Sequence, residues 1–409
     1  YTAEVNFIGT RFIFTADPEN IRAVLVDKFR DFGKGEEFHR NTSPFLGDAI
    51  WTTDGHAWSE SRSLLKGQLS KQRVSDLRIF ELHSSKLVNK LNLEAKAVDI
   101  KDLIYRYAMD VTTHFIFGES IDSLSHAGND AISEAFSTAQ RLQCLIWRAG
   151  PFKWILRYHP SYRSSIRILD AFIEPYVSKV LSLPPSEVSA RTTATDYTFL
   201  HALASMRRSR KFIRDQLLTM LIGSRDTTAS SLAWFFHEIS TRPDVVANLR
   251  AEIQSVIGDS SPSDYNTLKN KLPYLNWCLH ETLRLYPSAP VNMRTALKDT
   301  TLPVGGGPDG LRPVAILKGQ SIIFSSLVMH LREDLYRRSQ VGVDDQKTFP
   351  SINTFEPQRW AYWKPNSTYY IPFSAGPRVC IGQEFAMVAM SYTIVKILQK
   401  FRSIEREGG

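Results

Sequence analysis

Residues 373–382, FSAGPRVCIG, set a single cysteine in a loop of unusual composition. Gly376 and Gly382 suit tight backbone geometry beside a flat cofactor, and Arg378 can reach a carboxylate. The apolar run from Phe385 onward reads as a helix starting just after the cysteine, and a helix N-terminus stabilises a thiolate. Cys380 is therefore the candidate iron ligand. The plainer alternative is a buried structural cysteine after a Gly/Pro loop.

Three other groupings could do chemistry. Glu281 and Arg284 form Glu-x-x-Arg, which puts both side chains on one helix face about one turn apart. The same spacing recurs at Glu19/Arg22, Glu37/Arg40 and Glu356/Arg359, so the pattern alone carries little. Gly223-Ser224-Arg225-Asp226-Thr227-Thr228 lies within a long apolar helical pattern; taken alone, it needs no more than a threonine bonded to the carbonyl one turn back and a solvated aspartate. Gly305–Gly310, GGGPDG, satisfies Gly-x-Gly-x-x-Gly, but Pro308 and Pro313 forbid the helix that a dinucleotide fingerprint requires, and 314–316 reads as a strand. A hairpin turn is expected there, which argues against a nucleotide-dependent dehydrogenase.

The cysteine loop resembles the haem-binding loop of the cytochrome P-450 superfamily, Phe-x-x-Gly-x-Arg-x-Cys-x-Gly: Phe373, Gly376, Arg378, Cys380 and Gly382 fill every fixed position. The resemblance implies a mainly α fold with small β-sheets and non-covalent haem b between a long oxygen-binding helix and the helix after the cysteine. A Cys380 thiolate would donate electron density through the iron and favour O–O cleavage. Backbone N–H groups of the turn are its expected hydrogen-bond donors, and a bulky residue at Gly382 is expected to disturb them. The resemblance also places Arg359, from FEPQRW, in a buried structural triad with Glu281 and Arg284. Asp226 and Thr227 take the roles of acid and hydroxyl that organise proton delivery to reduced oxygen. Ser224 replaces a usual glycine of that motif, and Gly223 stands where relatives with esterified haem carry glutamate, which excludes covalent attachment there. Trp58 and Arg62, in WSESR, match a Trp-x-x-x-Arg motif that binds a haem propionate; Arg294 and Arg378 are the further propionate candidates.

Within the superfamily, DFGKGEEFHRNTSPFLGDAIWTTDGHAWSESR (31–62), SRDTTA (224–229) and DTTLPVGGGPDG (299–310) look like the fungal alkane and fatty-acid hydroxylases. The likeness implies a substrate pocket from Phe38, Phe45, Leu46 and Ile50, from Met220, Leu221, Gly223 and Thr228, and from Ala289 and Val291. These residues are mostly apolar, which suits a hydrocarbon chain, although the same residue types also build ordinary cores. An oxygenase acting on a polyketide or terpenoid is the alternative. A haem-thiolate sensor or carrier is a third, against which Asp226-Thr227 argues because sensing needs no proton relay.

The elements that must position these groups follow from periodicity. Asp17-Pro18 reads as an N-cap and first helical residue, after one strand from Glu4 to Thr15. Residues 33–53 read as polar and aperiodic. Helices are expected at 58–69, 74–91, 104–117, 131–147, 162–181, 215–240, 244–257 and 271–285, with a loop at 184–195 and strands bracketing 305–310. The 409 residues show no linker or repeat, so one domain over 1–409 is expected. A net charge of +8, spread without aromatic interleaving, argues against nucleic-acid binding. Cys144 and Cys278 read as core residues in a reducing compartment, and no cysteine or histidine spacing suits zinc.

No run of eighteen apolar residues occurs. By resemblance, an N-terminal membrane anchor and a C-terminal strand pair are expected outside this sequence, with the catalytic domain on the cytoplasmic face of the endoplasmic reticulum. The absence of any flavin motif points to a separate NADPH-dependent reductase as electron donor. Lys66, Lys71 and Arg73 are the candidates to meet it. The substrates are O2 and a small hydrophobic molecule, and the protein is expected to be a monomer.

Overall fold

The computed structural model describes residues 1–407 apart from 8–9, 70, 94–96, 126–129, 185, 189–197, 207 and 339–349. Its axis is the 30-residue helix Arg210–Ile239, opened by Ser209, whose hydroxyl accepts the Phe212 N–H. Buried side chains point from this helix in nearly every direction, apolar on one face at Ile213, Leu217, Leu221, Ala229, Leu232 and Phe236 and polar on the other at Asp215, Gln216 and Thr219. A helix buried on so many sides is enclosed by its neighbours. It packs along Ile100–Phe117 and against Pro160–Leu181, Pro273–Leu285 and Gln383–Lys400.

A five-stranded sheet lies apart from the helical core. Strands β1 (Thr2–Phe7), β2 (Thr10–Thr15), β3 (Phe32–Gly33), β4 (Val291–Ala296), β5 (Thr300–Gly306), β6 (Arg312–Ile316) and β7 (Ser321–Ser325) form one sheet in the order β1-β2-β7-β4-β3 and a separate hairpin, β5-β6. A second apolar cluster, including Ile13, Ile21, Leu25, Phe32, Ile322 and Phe324, seats the sheet. The β5-β6 hairpin contains the Gly305–Gly310 segment, where Gly305 N–H donates to Gly310 O and Gly307 has φ +76°, so the dinucleotide reading is excluded.

Most helices fall within a few residues of their expected bounds; the departures have physical causes. The segment 4–15 is two antiparallel strands, Thr2 opposite Thr15, because reversal lets the chain satisfy its own backbone groups. Residues 33–53 contain an unexpected helix, Glu36–Leu46. Its buried face carries Asn41 and Thr42 beside Phe45 and Leu46, which hides the apolar period; Gln143 donates to Asn41 O and Trp147 to the Thr42 hydroxyl. Cys144 is exposed rather than core, since Phe136, Ala139, Leu142 and Ile146 take the buried stripe of Asp130–Arg148; Cys278 is buried, and all three cysteines are free. The loop expected at 184–195 falls largely outside the described residues.

Candidate active site

The cysteine loop is held by its own backbone. Cys380 N–H donates to Phe373 O at 2.8 Å and Val379 N–H to Gly376 O at 3.0 Å. Gly376 has φ +68°, and a β-carbon there would lie 1.9 Å from Leu25 O, so only glycine fits. At Gly382 a β-carbon would stand 3.8 Å from the Cys380 sulfur, an ordinary contact; crowding begins only with larger side chains. The Cys380 side chain is accessible, yet burial pushes its thiol up, while the Gly382 N–H and the nearby Arg62 pull it down. Arg62 donates to Val379 O at 2.8 Å, so in this structure it braces the loop. Trp58 lies beneath both arginines, 4.7 Å from Arg378 and 6.0 Å from Arg62.

Beside the loop, buried positive charge exceeds buried negative charge. The Asp54 carboxylate accepts from Lys34 N–H and Gly35 N–H at 2.8–2.9 Å and from Arg378 at 2.5 Å. A β-carbon at Gly33 would meet Asp54 Oδ1 at 2.6 Å. Burial pushes the Lys34 ammonium well down, with Arg294 and Arg378 adding to the effect. Burial and Arg378 together lower Arg294 to about 10. Arg378 Nε is buried without a partner. Lys34, Arg62, Arg294 and Arg378 thus lie around one carboxylate, Asp54, so basic side chains outnumber acidic ones beside the loop. Haem b carries two propionates, so the residues present fit the group that the cysteine loop implies. Lys34 is a functional candidate that sequence reading missed, because a lone lysine in a polar stretch looks like surface.

On the long helix, the Thr227 hydroxyl donates to Gly223 O at 2.7 Å and the Ser224 hydroxyl to Met220 O at 2.7 Å. Asp226 is not on a solvated face. It is mostly buried, paired with Arg225 at 2.8 Å and bonded by Gln140, and burial raises its carboxyl above the usual range. Gly223 faces Trp51, another residue the sequence reading missed: a β-carbon at 223 would lie 3.4 Å from the indole. The turn carrying Trp51 is pinned, with Asp48 N–H donating to Asp215, Thr52 bonding Gly47 O and Thr53 bonding Ala49 O.

The expected pocket residues divide. Phe45, Leu46, Ile50, Met220 and Leu221 share the large apolar cluster, with Phe45 edge-on to Tyr162. Thr228 is buried, and its hydroxyl has no partner. Phe38 stacks on Trp147 with ring centroids 5.4 Å apart. Ala289, two residues before β4, and Val291, its first residue, are exposed.

Glu281, Arg284 and Arg359 converge with no exposure at all. Glu281 accepts two bonds from Arg284, at 2.8 and 2.9 Å, one from Arg359 at 2.8 Å, one from Trp360 at 2.9 Å and the Glu356 N–H at 3.0 Å. The arginines also donate to carbonyls of Ser351, Ile352 and Thr354, which ties the segment before FEPQRW to the helix.

A helical body with a small sheet, a backbone-braced cysteine and a buried cation cluster defines the architecture of haem-thiolate monooxygenases. The cytochrome P-450 family profile matches residues 3–408, and the chain belongs to that family. It is 41% identical over 99% of its length to cytochrome P-450 monooxygenase pvhE of Talaromyces variabilis, covering 76% of that protein. Cytochrome P-450 52A13 of Debaryomyces hansenii is 36% identical, with 99% of this chain and 78% of the relative covered. Cytochrome P-450 52A1 of Candida tropicalis is 35% identical, with 99% and 75% covered. Family members use protoporphyrin IX haem with a cysteine thiolate ligand, O2 and electrons from a redox partner. No helix among the described residues is long and apolar enough to cross a membrane.

Proposed function

We propose that residues 1–409 form one catalytic domain that hydroxylates a long-chain fatty acid or alkane, with electrons from an NADPH-dependent reductase at the endoplasmic reticulum membrane. The observation that carries this reading is the Trp51 indole facing Gly223, flanked in the chain by Ile50 on its own turn and by Met220 and Leu221 on the long helix, all three buried in the large apolar cluster. Such a setting offers a hydrocarbon chain contact without polar partners. Bound haem would supply oxygen activation, inserting one atom of O2 into substrate while the other leaves as water. Cys380 would hold the iron, and Lys34, Arg294 and Arg378 would neutralise the propionates. The chain's own residues do the rest. Asp226, paired with Arg225, would take up a proton at a carboxylate oxygen, and the Thr227 hydroxyl, turning from Gly223 O, would accept and pass it.

The polyketide or terpenoid reading keeps the same machinery with a differently shaped pocket. Titration of the haem-loaded protein with a panel of fatty acids, alkanes and fused-ring terpenoids, read as the change of iron spin state, separates the two. Spin change confined to ring compounds would overturn the lipid assignment. The red-shifted carbon monoxide band of a thiolate-ligated haem, lost in Cys380→Ser, is the control for the class.

A further inference from the structure

Arg225 enters no part of the chemistry above, yet it is a buried guanidinium on the long helix held from several sides. It is 4% exposed, and its guanidinium packs 5.4 Å from the Tyr105 ring and 5.2 Å from the Phe136 ring. Tyr105 comes from Ile100–Phe117 and Phe136 from Asp130–Arg148, so two other helices close around it. Its Nε is buried with no partner, and its hydrogen bond to a carboxylate goes to Asp226 at 2.8 Å. A buried guanidinium with one anionic neighbour cannot lose that neighbour without stranding its charge. Reciprocally, Asp226 is oriented by Arg225 on one side and by Gln140 on the other.

We propose that Arg225 is the positioning residue of the proton relay: fixed between Tyr105 and Phe136, it holds Asp226 in place and in its charged form until a proton arrives from solvent. The inference rests on the relay reading of Asp226-Thr227 and deepens it. The step is a proton transfer only. A hydron from water joins an Asp226 oxygen, an equivalent one passes to the Thr227 side, and no electron moves at these residues. Among the groups that face Asp226, Arg225 is cationic, Tyr105 is a phenol whose own titration is pushed up by burial, and Gln140 is neutral. Arg225 is thus the charge opposing burial, which by itself favours the protonated acid.

The test uses Arg225→Gln and Arg225→Lys in the full chain, with Asp226→Asn to identify the Asp226 carboxyl band by infrared difference. In Arg225→Gln that band should persist to a pH at least about one unit higher than in wild type, which is a tenfold change in protonation at fixed pH. The pH profile of NADPH-to-product coupling should move the same way, and the thiolate spectrum and lipid-induced spin change should stay as in wild type. Arg225→Lys, which keeps the charge, should bring both profiles back. An Asp226 band and a coupling profile that ignore Arg225→Gln would overturn the proposal. If Arg225→Gln does not fold, Arg225→Lys decides: a band within about half a unit of wild type supports charge as the holding force, and a full-unit shift overturns it. The infrared readout needs no turnover, so failure of the lipid hydroxylase reading would appear separately, as absent spin change in the wild type.

Discussion

Gly223 turns its bare α-carbon toward the indole of Trp51, and a β-carbon added there would come to 3.4 Å from the ring. The glycine sits one turn before Thr227, so the indole bounds the space next to the proposed relay. Trp51→Ala should weaken binding of linear lipids roughly tenfold, the scale of about 1.4 kcal/mol expected for one aromatic contact, and should admit bulkier ring compounds. Trp51→Phe should retain most of the affinity. Dissociation constants from spin-state titration check this, and equal affinities in wild type and Trp51→Ala would remove Trp51 from the pocket.

What the sequence discloses and what it hides follow from physics rather than chance. Around Cys380, glycine is forced by a 1.9 Å approach to Leu25 O and by φ +68°, so the demand is written directly in residue types. Arg359 meets Glu281 across 78 positions, and only family order could join it to the Glu281/Arg284 pair, since Glu-x-x-Arg is common by chance. Lys34 and Trp51 were invisible because their meaning comes from partners distant in sequence: Asp54 with Arg378 in one case and Gly223 in the other. The helix Glu36–Leu46 escapes periodicity because Asn41 and Thr42 share its inner face with Phe45 and Leu46, with the Thr42 hydroxyl accepting from Trp147 and the Asn41 carbonyl from Gln143.

Glu281 neutralises two arginines that have no exposure to water. Glu281→Gln should therefore strand buried positive charge and cost roughly 3 to 5 kcal/mol, with haem loading falling in parallel. Arg359→Lys should also be poorly tolerated, because an ammonium cannot reproduce a fork that reaches Glu281, Ser351 and Thr354 together. Urea midpoints and the haem-to-protein ratio after purification are the measurements. Wild-type values for Glu281→Gln would show that the cluster contributes nothing.

Burial lowers His83 and His330 to about 3. His83 meets His114 at 2.9 Å, and His330 accepts the Ile371 N–H at 3.0 Å, so both are held neutral in the fold. The unfolded chain binds protons at these rings below about pH 6.5 while the folded chain does not until about 3. Stability is then present above that window and is lost as pH falls through it, by up to about 1.4 kcal/mol per unit for each ring. Urea unfolding should show a loss of roughly 3 to 4 kcal/mol between pH 7 and pH 5. A flat profile over that range would mean that neither ring is held neutral.

Electron delivery should depend on Lys66. The helix Gly55–Gln68 turns Trp58 and Arg62 inward to the cysteine loop and leaves Lys66 exposed, so a partner docked on this helix approaches from the cysteine side. Arg73 is less available, being half-buried over Phe115 and bonded to Gln68, and the Lys71 side chain lies outside those described. Lys66→Glu should slow reduction by an NADPH-dependent diflavin reductase roughly threefold at 10 mM salt, where the screening length is about 30 Å, and hardly at all at 1 M. Arg73→Glu should instead lower thermal stability, since it removes a packed guanidinium and places a carboxylate against an aromatic ring. Stopped-flow reduction across a salt series distinguishes the two, and a Lys66→Glu rate equal to wild type at every ionic strength would move the docking face elsewhere.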